Sequence, residues 1–115
     1  MAEMIKIRIA NGGLTAIGPG KADLLDAIHK SGSISAAARA MGMSYRRAWE
    51  LVDAMNRCFQ QPLVITSPGG VHGGGAQVTE YGFHILRCYR DLISKAHATA
   101  AFEISEISSQ FKPQD

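Results

Sequence analysis

An α+β fold, three helices flanked by two short β-hairpins and closed by a long C-terminal helix, is what this sequence predicts. Three observations predict it. "MIKIRIANGGLTAI" alternates strictly and then turns. "GSISAAARAMGMSYRRAW" is a small-residue helix stopped by a glycine and restarted at once by a serine. "LVITSPGGVHGGGAQVT" is a pair of β-branched runs around a glycine-rich tip.

The totals set the frame. At 115 residues the chain makes one domain, 1–115, and 46% hydrophobic with 19% charged residues is the composition of an ordinary globular protein. No apolar run reaches the roughly 18 residues of a membrane span, and the start lacks a secretory pattern, so the expected location is cytoplasmic and no membrane partner is expected. Cys58 and Cys88 stand apart without a metal-ligand spacing and are expected buried and reduced. The net charge of +2 is uneven: residues 1–60 hold eight Lys/Arg against five Asp/Glu, and residues 61–115 hold four against five. A nucleic-acid partner must therefore be held by a few placed contacts rather than by bulk charge.

Each element then follows in order. In the N-terminal hairpin, 4–17, Ile5, Ile7 and Ile9 share one face of a strand, with Lys6 and Arg8 on the other. Asn11-Gly12 is the turn, because both residue types tolerate positive φ. Pro19 suits the first position of a helix, and Gly32 suits its C′ site. Ala22, Leu24, Leu25 and Ile28 form its stripe, with His29 beside it and no second ligand at metal spacing. Ser33 caps a second helix, Ile34 to Met41. Gly42 turns the chain, and Ser44 caps a third helix. Ala38 must be small where the third helix crosses, and Ala37, Met41, Met43, Ala48 and Leu51 fill the angle, so 33–59 reads as a helix-turn-helix. Val52, Met55 and Phe59 extend the apolar arc of the third helix, Trp49 is expected in the core, and Tyr45 stands at the edge of the arc. Residues 63–79 make a hairpin with a flexible tip. Thr79 caps the last helix, 80–110, whose stripe runs Leu86, Tyr89, Ile93, Ala96, Ala100, Ile104, Ile107 and Phe111.

A helix-turn-helix followed by a glycine-tipped hairpin is a winged helix-turn-helix. The solvent face of the third helix mixes Arg46 with Glu50 and Asp53, so only its N-terminal turns suit a negatively charged duplex. Ser44, Tyr45, Arg46 and Arg47 are the contact candidates there, joined by Ser33 and Ser35 at the start of the second helix. In the wing, Gly70, Gly73 and Gly74 would let backbone N–H groups approach sugar-phosphate, with His72 the one titratable side chain. The glycine loop is not a nucleotide P-loop, since it lacks the terminal Lys-Ser/Thr and leads into a strand. No nucleophile–base pair, metal cluster or cofactor motif supports an enzyme, and no cofactor is expected. The last helix, roughly 45 Å long at 1.5 Å per residue, outruns a domain of this size. Leu86, Tyr89, Ile93, Ala96, Ala100, Ile104 and Ile107 are therefore read as a dimerisation seam.

"GSISAAARAMGMSYRRAWELVDAMN", the glycine-rich hairpin and "VTEYG" resemble the N-terminal DNA-binding domain of the ModE family of molybdate-responsive transcriptional regulators, and more distantly the LysR-type winged helix. The resemblance implies a homodimer on a palindromic operator in double-stranded DNA, with the recognition-helix start on Ser44 to Arg47 and the wing on Gly69 to Gly75. It departs from the family in two places. The wing here carries no Lys or Arg. The family's molybdate-binding domains lie beyond the last helix, and this sequence runs to Asp115, so molybdate binding is not expected. The sequence thus reads as a dimeric DNA-binding transcriptional regulator. The alternative is a winged-helix protein-interaction module with weak or no DNA binding.

Overall fold

The alternating N-terminal segment becomes a ladder only at its end. In the computed structural model, which describes residues 5–68 and 74–114, β1 (Ile9–Asn11) pairs antiparallel with β2 (Leu14–Ile17), Asn11 opposite Leu14. The two-residue loop is therefore Gly12-Gly13, one position later than the sequence predicts, and Gly12 takes φ +61°. Asn11 is withdrawn from the turn because its side chain is used elsewhere: Nδ2 donates to the Cys58 carbonyl oxygen at 3.0 Å. Ile5 and Ile7 are half-buried but outside the ladder, and Ile9 is exposed.

Helix α1 (Pro19–Ser31) drives Leu24, Leu25 and Ile28 fully into the core. It ends where Gly32, at φ 78°, donates its N–H to the Ile28 carbonyl at 2.8 Å. Helix α2 (Ile34–Ala40) starts at Ser33, whose Oγ accepts the Ala36 N–H at 3.0 Å. Gly42, at φ 69°, makes the sharp turn, and Met43 N–H bonds back to the Ala38 carbonyl. Helix α3 (Tyr45–Cys58) is capped by Ser44, whose Oγ accepts the Arg47 N–H at 3.0 Å. Ala37, Ala38 and Ala48 are buried where α2 and α3 meet, so a larger side chain would pry the crossing open.

The second hairpin pairs β3 (Val64–Ser67) with β4 (Gly75–Val78), Val64 opposite Val78 and Ser67 opposite Gly75. Two clamps fix it to the helices. Asn56, on α3, accepts the Leu63 N–H at 2.8 Å and donates to the Val64 carbonyl at 3.0 Å. Ala76 N–H donates to the Gly32 carbonyl at 2.8 Å, tying β4 to the junction of α1 and α2.

Helix α4 (Glu80–Thr99) begins at Thr79, whose Oγ1 accepts the Gly82 N–H while its hydroxyl donates to the Pro62 carbonyl. Its first half closes the core with Leu86 and Tyr89, and Phe83 meets His29 of α1 edge-on, ring centroids 4.9 Å apart. The predicted single helix is broken at Ala100 (φ −100°, ψ 15°), after which α5 (Ala101–Ser108) continues with no buried residue. The break leaves the hydrogen bonds Ala100 N–H to Ala96 and Ile104 N–H to Ala100 intact, so the backbone ladder runs on through it. Principal extents of 55 × 35 × 25 Å and a radius of gyration of 16.4 Å exceed the ~13 Å of a compact chain this long. The cysteines are free, as expected, but neither is buried: Cys58 is half-buried, and Cys88 lies exposed on α4 with Sγ 3.8 Å from His84 Nε2.

Candidate nucleic-acid interface

Helix α3 presents three different flanks at its N-terminal end, and helical geometry sets their order. At about 100° per residue, Tyr45 and Trp49 share one flank, Arg46 and Glu50 form the crest opposite the core, and Arg47 and Leu51 share the other flank. Ala48, Val52 and Met55 point inward and are buried.

The first flank faces the wing. Ser33 and Ser35 at the start of α2, Tyr45 and Trp49 on α3, Thr66 and Ser67 on β3, and Gly74 and Gly75 at the return of the wing line one groove of about 360 Å³. Trp49 is 48% exposed and Tyr45 57% exposed. The core placement expected for Trp49 is therefore corrected. Among the described residues the hairpin faces α3 across this groove with small hydroxyl and glycine residues, Thr66, Ser67, Gly74 and Gly75, and half of the indole stays exposed.

The crest carries Arg46, whose Nε lies 3.4 Å from Glu50 Oε2 with 88% of its side chain exposed. Such a solvated i,i+4 pair is weak and easily exchanged for a stronger acceptor. Further along the helix Arg57 is similarly paired with Asp53 at 3.0 Å, which keeps the later turns near neutral.

The other flank is cationic. Arg47 and Leu51 line a groove of about 350 Å³ with Met43, Arg8, Thr15 and the segment Gly18 to Lys21. Burial first and then the nearby Arg47 charge lower the Lys21 pKa from its ordinary value; Cys58 opposes them more weakly, and Arg8 adds the smallest lowering effect.

The structure therefore brings Ser33, Ser35, Tyr45 and Gly74 together, sets Arg46 beside them and separates Arg47 to the far side. Ser44 is exposed and engaged as the cap. Gly70, His72 and Gly73 lie outside the described residues. Sequence reasoning missed Trp49, Thr66 and Ser67, for which the i,i+4 spacing from Tyr45 was the available signal for Trp49. It also missed Arg8 and Lys21, for which no local signal exists. On the last helix, Leu86 (8% exposed) and Tyr89 (5% exposed) belong to the chain's own core, a correction to their reading as seam residues. They point inward because α4 packs there on α1 and β4 and over the segment leading into β1, where the Tyr89 hydroxyl donates to the Ile7 carbonyl at 2.7 Å. Ile93 packs partly on the core, Ala96, Ala100 and Ile104 are half-buried, and Ile107 and Phe111 are open, as is Phe102 at 71%.

Two helices crossing at a glycine turn, a β-hairpin beside the second of them and an open N-terminal end on that helix define a winged helix-turn-helix, an architecture of DNA-binding regulators. Residues 21–83 match the model of the bacterial regulatory helix-turn-helix protein, lysR family, and the chain belongs to that family. It is similar to the molybdenum transport protein ModE of Azotobacter vinelandii, 44% identical over 78 residues that cover 68% of this chain and 29% of that protein. The molybdenum-pterin-binding protein MopB of Rhodobacter capsulatus is 47% identical over 73 residues, 64% of this chain and 27% of that protein. The DNA-binding transcriptional dual regulator ModE of Escherichia coli (strain K12) is 38% identical over 88 residues, 76% of this chain and 33% of that protein. The chain thus spans a third or less of the length of these curated relatives. Among the described residues no helix is long and apolar enough to cross a membrane, and no group of three or more His, Cys, Asp or Glu is placed to hold a metal ion.

Proposed function

We propose that this chain is the DNA-binding unit of a homodimeric transcriptional regulator that reads a two-fold-symmetric operator with the N-terminal end of α3. The observation that carries the reading is the open end of α3, where Arg46, 88% exposed and held only by a solvated pair with Glu50, stands at the crest between two grooves. A helix about 10–12 Å across fits a major groove about 12 Å wide, and an Arg at its tip reaches guanine O6 and N7. Ser33, Ser35 and Ser44 lie where the starts of α2 and α3 offer N–H groups and hydroxyls to phosphate. Tyr45 and Trp49 pack sugar and thymine methyl groups against the base of the wing. Glycines Gly70, Gly73 and Gly74 bring wing backbone to the neighbouring strand. This division assigns register to backbone contacts and sequence to the α3 tip.

Dimerisation belongs to the arm formed by the end of α4 and by α5. Phe102, Ile107 and Phe111, all more than 60% exposed, support a second copy as the cover. Two copies related by a two-fold axis set their α3 helices one DNA turn, ~34 Å, or a multiple apart.

Selection of bound duplexes from a random pool tests the whole reading. The expected output is a palindrome, and Arg46→Ala should bind it about 5- to 150-fold more weakly, corresponding to ~1–3 kcal/mol, with relaxed preference at one base per half-site. An output without two-fold symmetry overturns the dimeric operator. A protein that retains no duplex at low salt overturns DNA binding and leaves the protein-interaction module.

A further inference from the structure

We propose that Arg8, Lys21 and Arg47 form a second phosphate-binding cradle, on the flank of α3 away from the wing, that grips the DNA strand across the major groove. The proposal rests on the DNA-binding reading above and assigns to DNA two residues outside the helix-turn-helix.

Three distant segments build the cradle. Arg8 comes from the chain leading into β1, Lys21 from the first turn of α1, and Arg47 from the first turn of α3, and all three line one groove. No carboxylate lines that groove, and among the described residues none of the three cations is paired with an Asp or Glu. Of the exposed arginines on α3 and α4 outside this groove, Arg46, Arg57 and Arg90 each have an acidic partner, and only Arg87 among the described residues has none. Like charges gathered without a counter-charge repel one another, and that repulsion adds to the desolvation of Lys21. Binding an anion would relieve it.

The backbone contributes in the same direction. The N-cap of α1 is Gly18, which has no capping side chain, and Pro19 has no N–H to satisfy. The first helical N–H with an internal acceptor is that of Ala22, to Gly18 oxygen at 2.9 Å. The N–H groups of Gly20 and Lys21 therefore have no acceptor within the helix, and both residues line the groove at the positive end of a 13-residue helix. Gly18 also places Arg8: a Cβ there would come within 3.1 Å of Arg8 Cγ, so the glycine leaves room for the arginine stem to lie across the helix start.

The helical positions determine what such a cradle meets. Tyr45 and Arg47 are roughly 200° apart around α3. A helix in the major groove has one phosphate strand along each flank. With the wing and the starts of α2 and α3 on one strand, Arg47, Lys21 and Arg8 face the other. The wing is uncharged apart from His72, so this flank supplies the cationic grip that the wing lacks.

The test compares Lys21→Gln, Arg8→Gln, their double variant and Lys21→Arg with the wild type, on the selected operator and on an unrelated duplex, over a range of salt. Each charge removed should flatten the slope of log affinity against log salt by about one, and the double variant by about two. Loss should be equal on the two duplexes, because phosphate carries no sequence. Lys21→Arg should keep the wild-type slope. Phosphate-ethylation interference should show one position per half-site, on the strand away from the wing, that vanishes in the double variant. Unchanged slope and interference in the double variant, with Arg46→Ala still losing operator preference, overturn the cradle and leave the DNA reading standing. A wild type that binds neither duplex overturns both.

Discussion

The region from α1 to the middle of α4 and the arm beyond it carry apolar stripes of the same kind, yet they end in opposite circumstances. In the first region Leu24, Leu25, Ile28, Met55 and Leu63 lose essentially all contact with water. In the second, from Leu92 onward, none of the described residues is buried, and Phe102, Ile107 and Phe111 stand open. The difference teaches that amphipathic periodicity records that a face needs cover without recording who provides it. Tyr89 marks the boundary, since it is the last residue of α4 that the chain's own core encloses. A patch of this size on an isolated chain is a liability, which is the physical reason for assigning it to a second copy.

The widest separation between the regions is expected from a pair of substitutions. Leu25→Ala empties a fully buried site and should lower unfolding free energy by ~2–5 kcal/mol in urea titrations. Ile104→Glu should leave the melting of the core almost unchanged but weaken self-association by roughly 100-fold, about 2.7 kcal/mol, as read by sedimentation. Operator affinity should fall with it. If the wild type sediments as a monomer at micromolar concentration, the comparison breaks, and the arm must find a different cover.

A smaller effect is expected at the seat of α4. A Cβ on Gly82 would fall 2.3 Å from the Leu63 carbonyl oxygen and 2.9 Å from Val78 Cγ1, so α4 packs on the start of the wing at a distance only glycine allows. Gly82→Ala should cost ~1–3 kcal/mol through forced displacement, despite the better helix propensity of alanine. Because the displaced helix carries the arm, dimer and wing should both respond. A variant as stable as wild type with unaltered DNA affinity would show that α4 and the wing are less tightly joined than their geometry implies.

Which parts of this were legible in the sequence follows from how far apart the causes lie along the chain. The helix-turn-helix was legible because Ser33, Ala38, Gly42 and Ser44 act on neighbours within four or five residues. The first hairpin was legible in kind but misplaced by one residue. The reason is a bond to Cys58, 47 positions away, which takes the Asn11 side chain out of the turn. The break at Ala100 had no signal, since alanine is the best helix former and neither glycine nor proline stands nearby. Trp49 was misassigned because a helical wheel shows an arc but not a gap, and the gap is made by Thr66, Ser67 and Gly74 of the wing. The cationic flank was illegible for the same reason: Arg8, Lys21 and Arg47 become neighbours only once hairpin, α1 and α3 have packed.

The finest test of the boundary is Tyr89→Phe. The phenol hydroxyl donates to the Ile7 carbonyl at 2.7 Å, joining α4 to the N-terminal segment just before β1. Burial raises the Tyr89 pKa from its ordinary 10.0, and Asp23 adds to the rise, while Arg90 and Arg8 oppose it. A raised pKa means that the folded chain holds this proton more tightly than the unfolded chain does. The resulting stability is complete below pH 10 and is lost as pH climbs through the folded value, because the unfolded state ionises first. At pH 8, Tyr89→Phe should therefore be less stable than wild type by ~1 kcal/mol, the net worth of one hydrogen bond. Above pH 10 the gap should narrow as the wild type loses what the variant never had. Urea titrations at pH 8 and pH 11 measure it. The absence of a gap at pH 8 would mean that Tyr89 holds the N-terminal segment by ring packing alone, and the boundary between core and arm would then rest on shape rather than on this bond.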